Sequence, residues 1–447
     1  MRDMTQGSPW RHLLEYAIPL LLGNWFQMAY NAIDSMIVGR FIGKDALAAV
    51  GIASPVMNLV ILAVSGLCLG AGVFMSESFG ARDGKALRTQ FSTTIISGTI
   101  LACVITAIGL LFMKPLLMVL SVPAEIVQIT TAYLRIIFVG IPFTFFYNAL
   151  AASLKSVGDA KTPLKFLIFS SVLNGVLDLI FIGSFRFGIV CSATTTVIAE
   201  AVSAILAGFY LIKRVPELCP EEGEWKINQF YLKKIAQYGG VAALQQAVQP
   251  IGKLLIQGQV NALGVNVIAA FNAVTRVDDF AFTPEQSIAQ AITTYIAQNR
   301  GANKKQRIKR GFVAGMTLEF LYWMLVGTST ILLKEQIMAL FISSKSEGDV
   351  INIGVEYLTL MAVFYLWPAM TNGVQGFFRG VGKLKMTLLG TFIQTGIRVV
   401  ITIFLAPTME IRGIAFGCVA GWSVMLLVEI PFCIRELRKM GASEAGA

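Results

Sequence analysis

Residues 46–75 read ALAAVGIASPVMNLVILAVSGLCLGAGVFM, thirty consecutive positions without a charged side chain. About 20 such residues in a helix cross the hydrocarbon core of a bilayer. The run is continuous rather than alternating, which excludes a transmembrane strand, and lipid then leaves only helix. Working outward from it, eleven more runs of the same kind appear. The twelve cover approximately 14–39, 46–75, 91–113, 128–154, 163–184, 187–212, 239–263, 265–295, 311–333, 350–378, 384–406 and 412–434. Across all 447 residues, 55% are AVILMFWYC and only 14% are charged. That leaves too little polar surface to solubilise a globule of this size, and rules out a soluble enzyme, a disordered chain and a collagen-like fibre. The expected fold class is an all-α, multi-pass membrane protein.

The formal net charge of +10 raises the question of nucleic acid. The placement of the charges answers it. Both termini and the even-numbered loops carry 25 of the 36 Lys and Arg residues, the odd-numbered loops 7, and Arg135, Lys253, Arg276 and Arg398 lie within spans. Cytoplasmic loops collect basic residues, so both termini are expected in the cytoplasm and no nucleic-acid partner is implied. The first run is expected to be a retained span, since no small-residue cleavage site follows it. Six cysteines without metal-ligand spacing read as free thiols. His12 is the only histidine and reads as interfacial, so no histidine-based metal site or catalytic triad can form within the spans. A G-x-x-x-x-G-K-[ST] phosphate loop is also lacking. Nothing here suggests an enzyme or a resident cofactor.

The longest polar stretch, Lys213 to Tyr238, divides the chain into six spans and six spans. The expected domains are a lobe over 1–212, a cytoplasmic linker over 213–238 and a lobe over 239–447. The halves resemble each other. Gly43-Lys44-Asp45-Ala46-Leu47-Ala48-Ala49 aligns with Gly264-Val265-Asn266-Val267-Ile268-Ala269-Ala270 at an offset of 221, as does Gly80-Ala81-Arg82-Asp83 with Gly301-Ala302-Asn303-Lys304. Lys155-Ser156-Val157-Gly158 aligns with Arg379-Gly380-Val381-Gly382 at 224. An even number of spans per half makes the repeats parallel. Two like lobes around a central cavity suit an alternating-access transporter.

Tyr30-Asn31-Ala32-Ile33-Asp34-Ser35-Met36-Ile37-Val38-Gly39-Arg40, followed by Gly43 and Ala46-Leu47-Ala48-Ala49-Val50-Gly51, resembles multidrug and toxic compound extrusion (MATE) transporters. So do Gln298-Asn299-Arg300-Gly301-Ala302 and Arg379-Gly380-Val381-Gly382. The resemblance covers essentially the whole chain. It implies secondary active efflux of small organic solutes across the cell membrane, driven by H⁺ or Na⁺ influx. The Asp34 and Asp178 arrangement is similar to the DinF-like prokaryotic branch, whose ion site lies in the N-terminal lobe. A monomer is expected.

The residues support that site on their own terms. Asp34 and Asp178 both lie roughly 8–9 Å below the outer edge of their spans, and Thr196 roughly 13 Å below it, at 1.5 Å per residue. Asn174, four residues before Asp178, shares its helix face. Ionisable side chains inside a membrane are costly and mark functional candidates. Two adjacent carboxylates in low dielectric cannot both ionise cheaply, so the pair should hold a proton. A Na⁺ ion could instead be held at Asp34, Asn174, Asp178 and Thr196. The bland alternative is interhelical packing, and for Thr196 a bond to its own helix backbone.

The second lobe departs from the pattern. Asp34 maps to Leu255, Asn174 to Arg398 and Asp178 to Thr402. In place of the acids stands a candidate charge cluster of Lys253, Arg276, Asp278, Asp279 and Arg398, read either as salt-bridged helix packing or as cavity lining. Glu200, Glu319, Glu356 and Glu429 lie within spans and receive no role for want of evident partners. Gly66 and Gly70, and Gly413, Gly417 and Gly421, read as close helix contacts. A flippase for lipid-linked oligosaccharides, holding pyrophosphate on Lys253, Arg276 and Arg398, is the rival within the superfamily. A membrane-embedded enzyme or receptor is the rival from another class.

Overall fold

The computed structural model describes residues 2–120, 122–185, 187–342 and 348–442, apart from the side chains at 35, 38, 39, 44, 47, 119, 441 and 442. Arg186 and Lys345, counted among the loop charges, lie outside the described residues. The described chain is helical and contains no strand. In order, the helices are α1 (Pro9–Phe41), α2 (Lys44–Gly80), α3 (Gly84–Leu111), α4 (Met113–Val119), α5 (Val127–Ser156), α6 (Lys161–Asp178), α7 (Ile189–Arg214), α8 (Gln229–Ala262), α9 (Val265–Gly301), α10 (Lys305–Leu332), α11 (Lys334–Phe341), α12 (Gly348–Phe364), α13 (Leu366–Gly380) and α14 (Leu384–Ala442).

Eight stretches are long and apolar enough to cross a membrane on hydropathy alone, with α12 and α13 forming one of them. Helices α1, α8 and α9 have comparable lengths of 33, 34 and 37 residues but carry more polar side chains. Helix α14 is broken at Glu410, whose φ of 50° and ψ of −128° are non-helical. That break falls between the two spans expected at 384–406 and 412–434. Taken as two, α14 completes a twelve-helix membrane protein.

The repeat has a backbone cause. Gly43 and Gly264, each opening the second helix of its half, have φ of 109° and 97°. Arg82 and Asn303 follow at 59° and 54°, and Gly158 and Gly382 at 80° and 76°. These are the places where the sequence halves align, and positive φ is what favours glycine or asparagine there. The turn hydrogen bonds recur with them: Gly158 N donates to Lys155 O and Gly382 N to Arg379 O, both at 3.0 Å.

Among the described residues, packing groups the chain into two units, 2–3 with those from Leu22 to Ala243 in one, and 4–21 with 244–342 and 348–442 in the other. The first helix of each half is thus divided, α1 after Leu21 and α8 after Ala243. Within the first unit, Gly66 and Gly70 let α2 approach α8. A Cβ on Gly66 would sit 2.6 Å from Ala243 N, and one on Gly70 2.7 Å from Gly239 N. Within the second, a Cβ on Gly421 would meet Gln394 O at 2.5 Å, where the halves of α14 cross. Both contacts match the small-residue faces read from the sequence. Residues 213–238 hold a short 3₁₀ turn at Pro216–Leu218 and the first turns of α8. Arg88 ties this stretch to α3 through Glu224, with Nε to Oε2 at 2.7 Å, and holds that carboxyl below its usual range. His12, expected at an interface, is buried with Nε2 2.5 Å from the Gln6 carbonyl.

Candidate functional site

The regular part of α6 ends at Asp178, and the chain continues as a π-helical segment, Leu179–Ser184. The wider turn reorients the residues beyond it, and such segments often occur at functional positions. Asp178 is fully buried and Asn174, one turn before it, is 2% exposed. The Thr195 hydroxyl of α7 donates to Asp178 Oδ1 at 2.5 Å. Asn174 Nδ2 donates to Thr196 Oγ1 at 3.4 Å, and Thr196 Oγ1 donates in turn to Ser192 O at 2.9 Å. The Asp34 carboxyl of α1 lies against that of Asp178.

Asp34, Asn174, Asp178 and Thr196 are therefore brought together within one unit. Three of their buried oxygens, Asp34 Oδ1, Asn174 Oδ1 and Asp178 Oδ2, have no hydrogen-bond donor. A donorless buried oxygen is costly, and three at one place form a concentrated set of acceptors suited to a proton or a small cation. Sequence reasoning missed Thr195, which touches Asp178 directly while Thr196 does not. It also missed Tyr30 and Tyr133, whose phenols are electrostatic neighbours of both aspartates. Tyr30 had a signal, since it lies one helical turn before Asp34.

The five residues of the second-unit cluster are arranged differently. Lys253 Nζ pairs with Asp279 Oδ1 at 3.2 Å. Asp278 accepts from the Tyr365 hydroxyl at 2.7 Å and feels the Arg398 guanidinium, which also contacts the Cys418 thiol. Arg276 is exposed and stands apart from these contacts. Of the positions equivalent to the first-unit acids, Leu255 is 54% exposed, while the Thr402 hydroxyl is buried without a partner.

The MatE family model matches residues 19–180 and again residues 242–404. The chain belongs to the MatE family. The second match begins 223 residues after the first and ends 224 after it, the spacing of the sequence repeat. Among curated relatives, the chain is similar to the probable multidrug resistance protein YpnP of Bacillus subtilis (strain 168), 29% identical over 418 residues and covering 93% of this chain and 92% of that one. The probable multidrug resistance protein YoeA of the same organism is 28% identical, covering 95% and 93%. Among solved structures, one of MATE in complex with MaL6 has a TM-score of 0.91 at 24% identity, covering 98% and 99%. That last likeness speaks to the fold.

In this MatE-family chain two of the remaining glutamates, Glu200 and Glu356, have partners, against the expectation. The buried carboxyl oxygens of Glu319 and Glu429 have no hydrogen-bond partner, in line with it. The Thr144 hydroxyl of α5 donates to Glu200, and Arg412 pairs with Glu356. Glu429 is fully buried near Arg379. Glu319, also fully buried, lies beside Glu285, to which Asn372 Nδ2 donates at 3.4 Å. None of these contacts is visible in sequence, because each joins residues on different helices.

Proposed function

We propose that this chain is a secondary active antiporter of the cell membrane that exports small organic solutes by alternating access, driven by inward H⁺ or Na⁺. Both termini lie in the cytoplasm in this reading, the protein works as a monomer, and it needs no resident cofactor. The observation that carries the proposal is the set of donorless oxygens on Asp34, Asn174 and Asp178 inside a lipid-spanning unit. Such a set is stabilised by a cation that arrives and leaves, and a coupling ion does both. The names of the similar Bacillus proteins support a drug-like, organic cargo.

The mechanism follows from the charges. With the cation bound, the aspartate pair is largely neutralised and suits the low-dielectric lobe; with the cation gone, its charge favours a conformation that admits water. An ion gradient thereby biases which conformation is populated, which is all that coupling requires. The test is export from proteoliposomes under a pH gradient alone and a Na⁺ gradient alone, in wild type and Asp34→Asn. One of the two gradients should drive wild-type export, and Asp34→Asn should lower it by about 100-fold or more, since the substitution keeps the shape and removes the titratable charge. Wild-type export by Asp34→Asn under the same gradient contradicts the assignment.

A further inference from the structure

We infer that Glu285 and Glu319 form a proton-binding site of the second unit, with one exchangeable proton held between two buried carboxyls. The site uses no residue of the Lys253–Arg398 cluster, and it stands whether or not the Asp34–Asp178 assignment holds.

Helices α9 and α10 run antiparallel, and two contacts fix their register. The Tyr322 hydroxyl of α10 donates to Ala281 O of α9 at 2.9 Å. A Cβ on Gly315 of α10 would sit 2.4 Å from Ile292 Cγ1 of α9. Between these contacts, Glu319 stands three residues before Tyr322, and Glu285 four after Ala281. Steps of three and four return to the same helix face, so the two glutamates stand opposite each other where α9 and α10 touch. Glu319 accordingly feels the Glu285 charge. Helix α13 closes a third side. A Cβ on Gly373 would lie 3.5 Å from Glu319 Cγ, and the adjacent Asn372 donates through Nδ2 to Glu285 Oε2 at 3.4 Å. A Cβ on Gly376 would sit 2.6 Å from the carbonyl of Ala289, one turn after Glu285.

Glu285 is 1% exposed and Glu319 is fully buried, and neither Glu319 oxygen has a hydrogen-bond partner. The nearby phenols are engaged elsewhere, Tyr322 on Ala281 O and Tyr365, just before α13, on Asp278. Asp278, seven residues before Glu285 on α9, is the other acid whose charge reaches the pair. No lysine, arginine or histidine among the described residues is an electrostatic partner of either glutamate. Two like charges enclosed together in a spanning unit are costly, and this pair lacks donors rather than acceptors. A proton supplies what is missing, since it turns one carboxyl into a donor to the other. Binding takes one H⁺ from water and makes the pair less negative by one charge; no other group changes. Asn372 presents an N–H to the site, which suits a carboxyl and disfavours a metal cation. Two acids, rather than an acid and an amide, leave the site able to lose its proton when water reaches it.

The test is infrared difference spectroscopy of the full-length protein in lipid, acid minus alkaline, following the carboxylic-acid C=O bands. Glu285→Gln and Glu319→Gln should each abolish the same wild-type band, because both carboxyls hold the one proton. That band should persist in Asp34→Asn/Asp178→Asn, and on adding Na⁺ at constant pH. Survival of every wild-type band in either glutamine variant overturns the inference, as does the lack of a pH-dependent band that both variants lose. Loss of the band in the aspartate variant would place the proton in the first unit, and loss on adding Na⁺ would assign the site to that ion; either result overturns it. Should both glutamine variants fail to fold, Asn372→Leu, which deletes the amide beside Glu285, decides. A displaced band then supports the site, and an unmoved spectrum refutes it.

Discussion

The Asp34–Asp178 site of the first unit and the Lys253–Asp278–Asp279–Arg398 cluster of the second occupy comparable stretches of a duplicated chain, yet their charges are balanced in opposite ways. In the second unit, Asp279 has an ammonium at 3.2 Å, and Asp278 has a phenol donor with a guanidinium nearby. In the first, Asp34 and Asp178 face each other, and each leaves a buried oxygen without a donor. A cluster that carries its own cations is complete when the chain has folded. A cluster of acceptors without them is completed only by something that enters. On the proposed reading, the difference separates a structural charge network from a site for a mobile ion, in two halves that the MatE family model matches separately.

The comparison can be broken first at Arg398. Arg398→Gln removes the guanidinium near buried Asp278 and should destabilise the protein by roughly 2 kcal/mol, because a buried charge loses its compensation. The melting temperature in detergent reads this, and adding Asp278→Asn should recover part of the loss. An unchanged melting temperature in the single variant would mean that the second unit does not rely on internal compensation.

A smaller effect is expected at the neighbouring pair. The Lys253 and Asp279 side chains are 55% and 46% exposed, so the protein encloses this pair less than it encloses Asp278. Asp279→Asn should lower stability by only about 0.2–1 kcal/mol. Adding Lys253→Gln should restore it within error. A double variant weaker than the single one would show that the two side chains do not act as a pair.

Much of the fold was legible in the sequence. The twelve spans follow from runs such as 46–75, and the repeat could be read because Gly43 and Gly264, or Gly158 and Gly382, serve left-handed turns that few other residues adopt. The site was half legible. Asp34, Asn174 and Asp178 stand out because polar groups in spans are rare. Thr195 did not, because the π-helical segment after Asp178 lies between α6 and α7, and the register of the two helices against each other has no signature in sequence. The Thr144 partner of Glu200 was equally hidden, lying 56 residues away on another helix. The depth of Lys253 and Asp279 suggested a pair enclosed by protein, and the structure leaves both side chains partly exposed.

The central claim is that the first unit binds an exchangeable cation and the second-unit cluster does not. The most direct measurement is the number of H⁺ and ²²Na⁺ ions taken up per chain by the purified protein, without substrate or gradient. It compares wild type with the double variant Asp34→Asn/Asp178→Asn and with Asp278→Asn/Asp279→Asn. The account predicts that the first double variant loses an exchangeable cation and that the second retains it. Retention in the first with loss in the second would contradict the account.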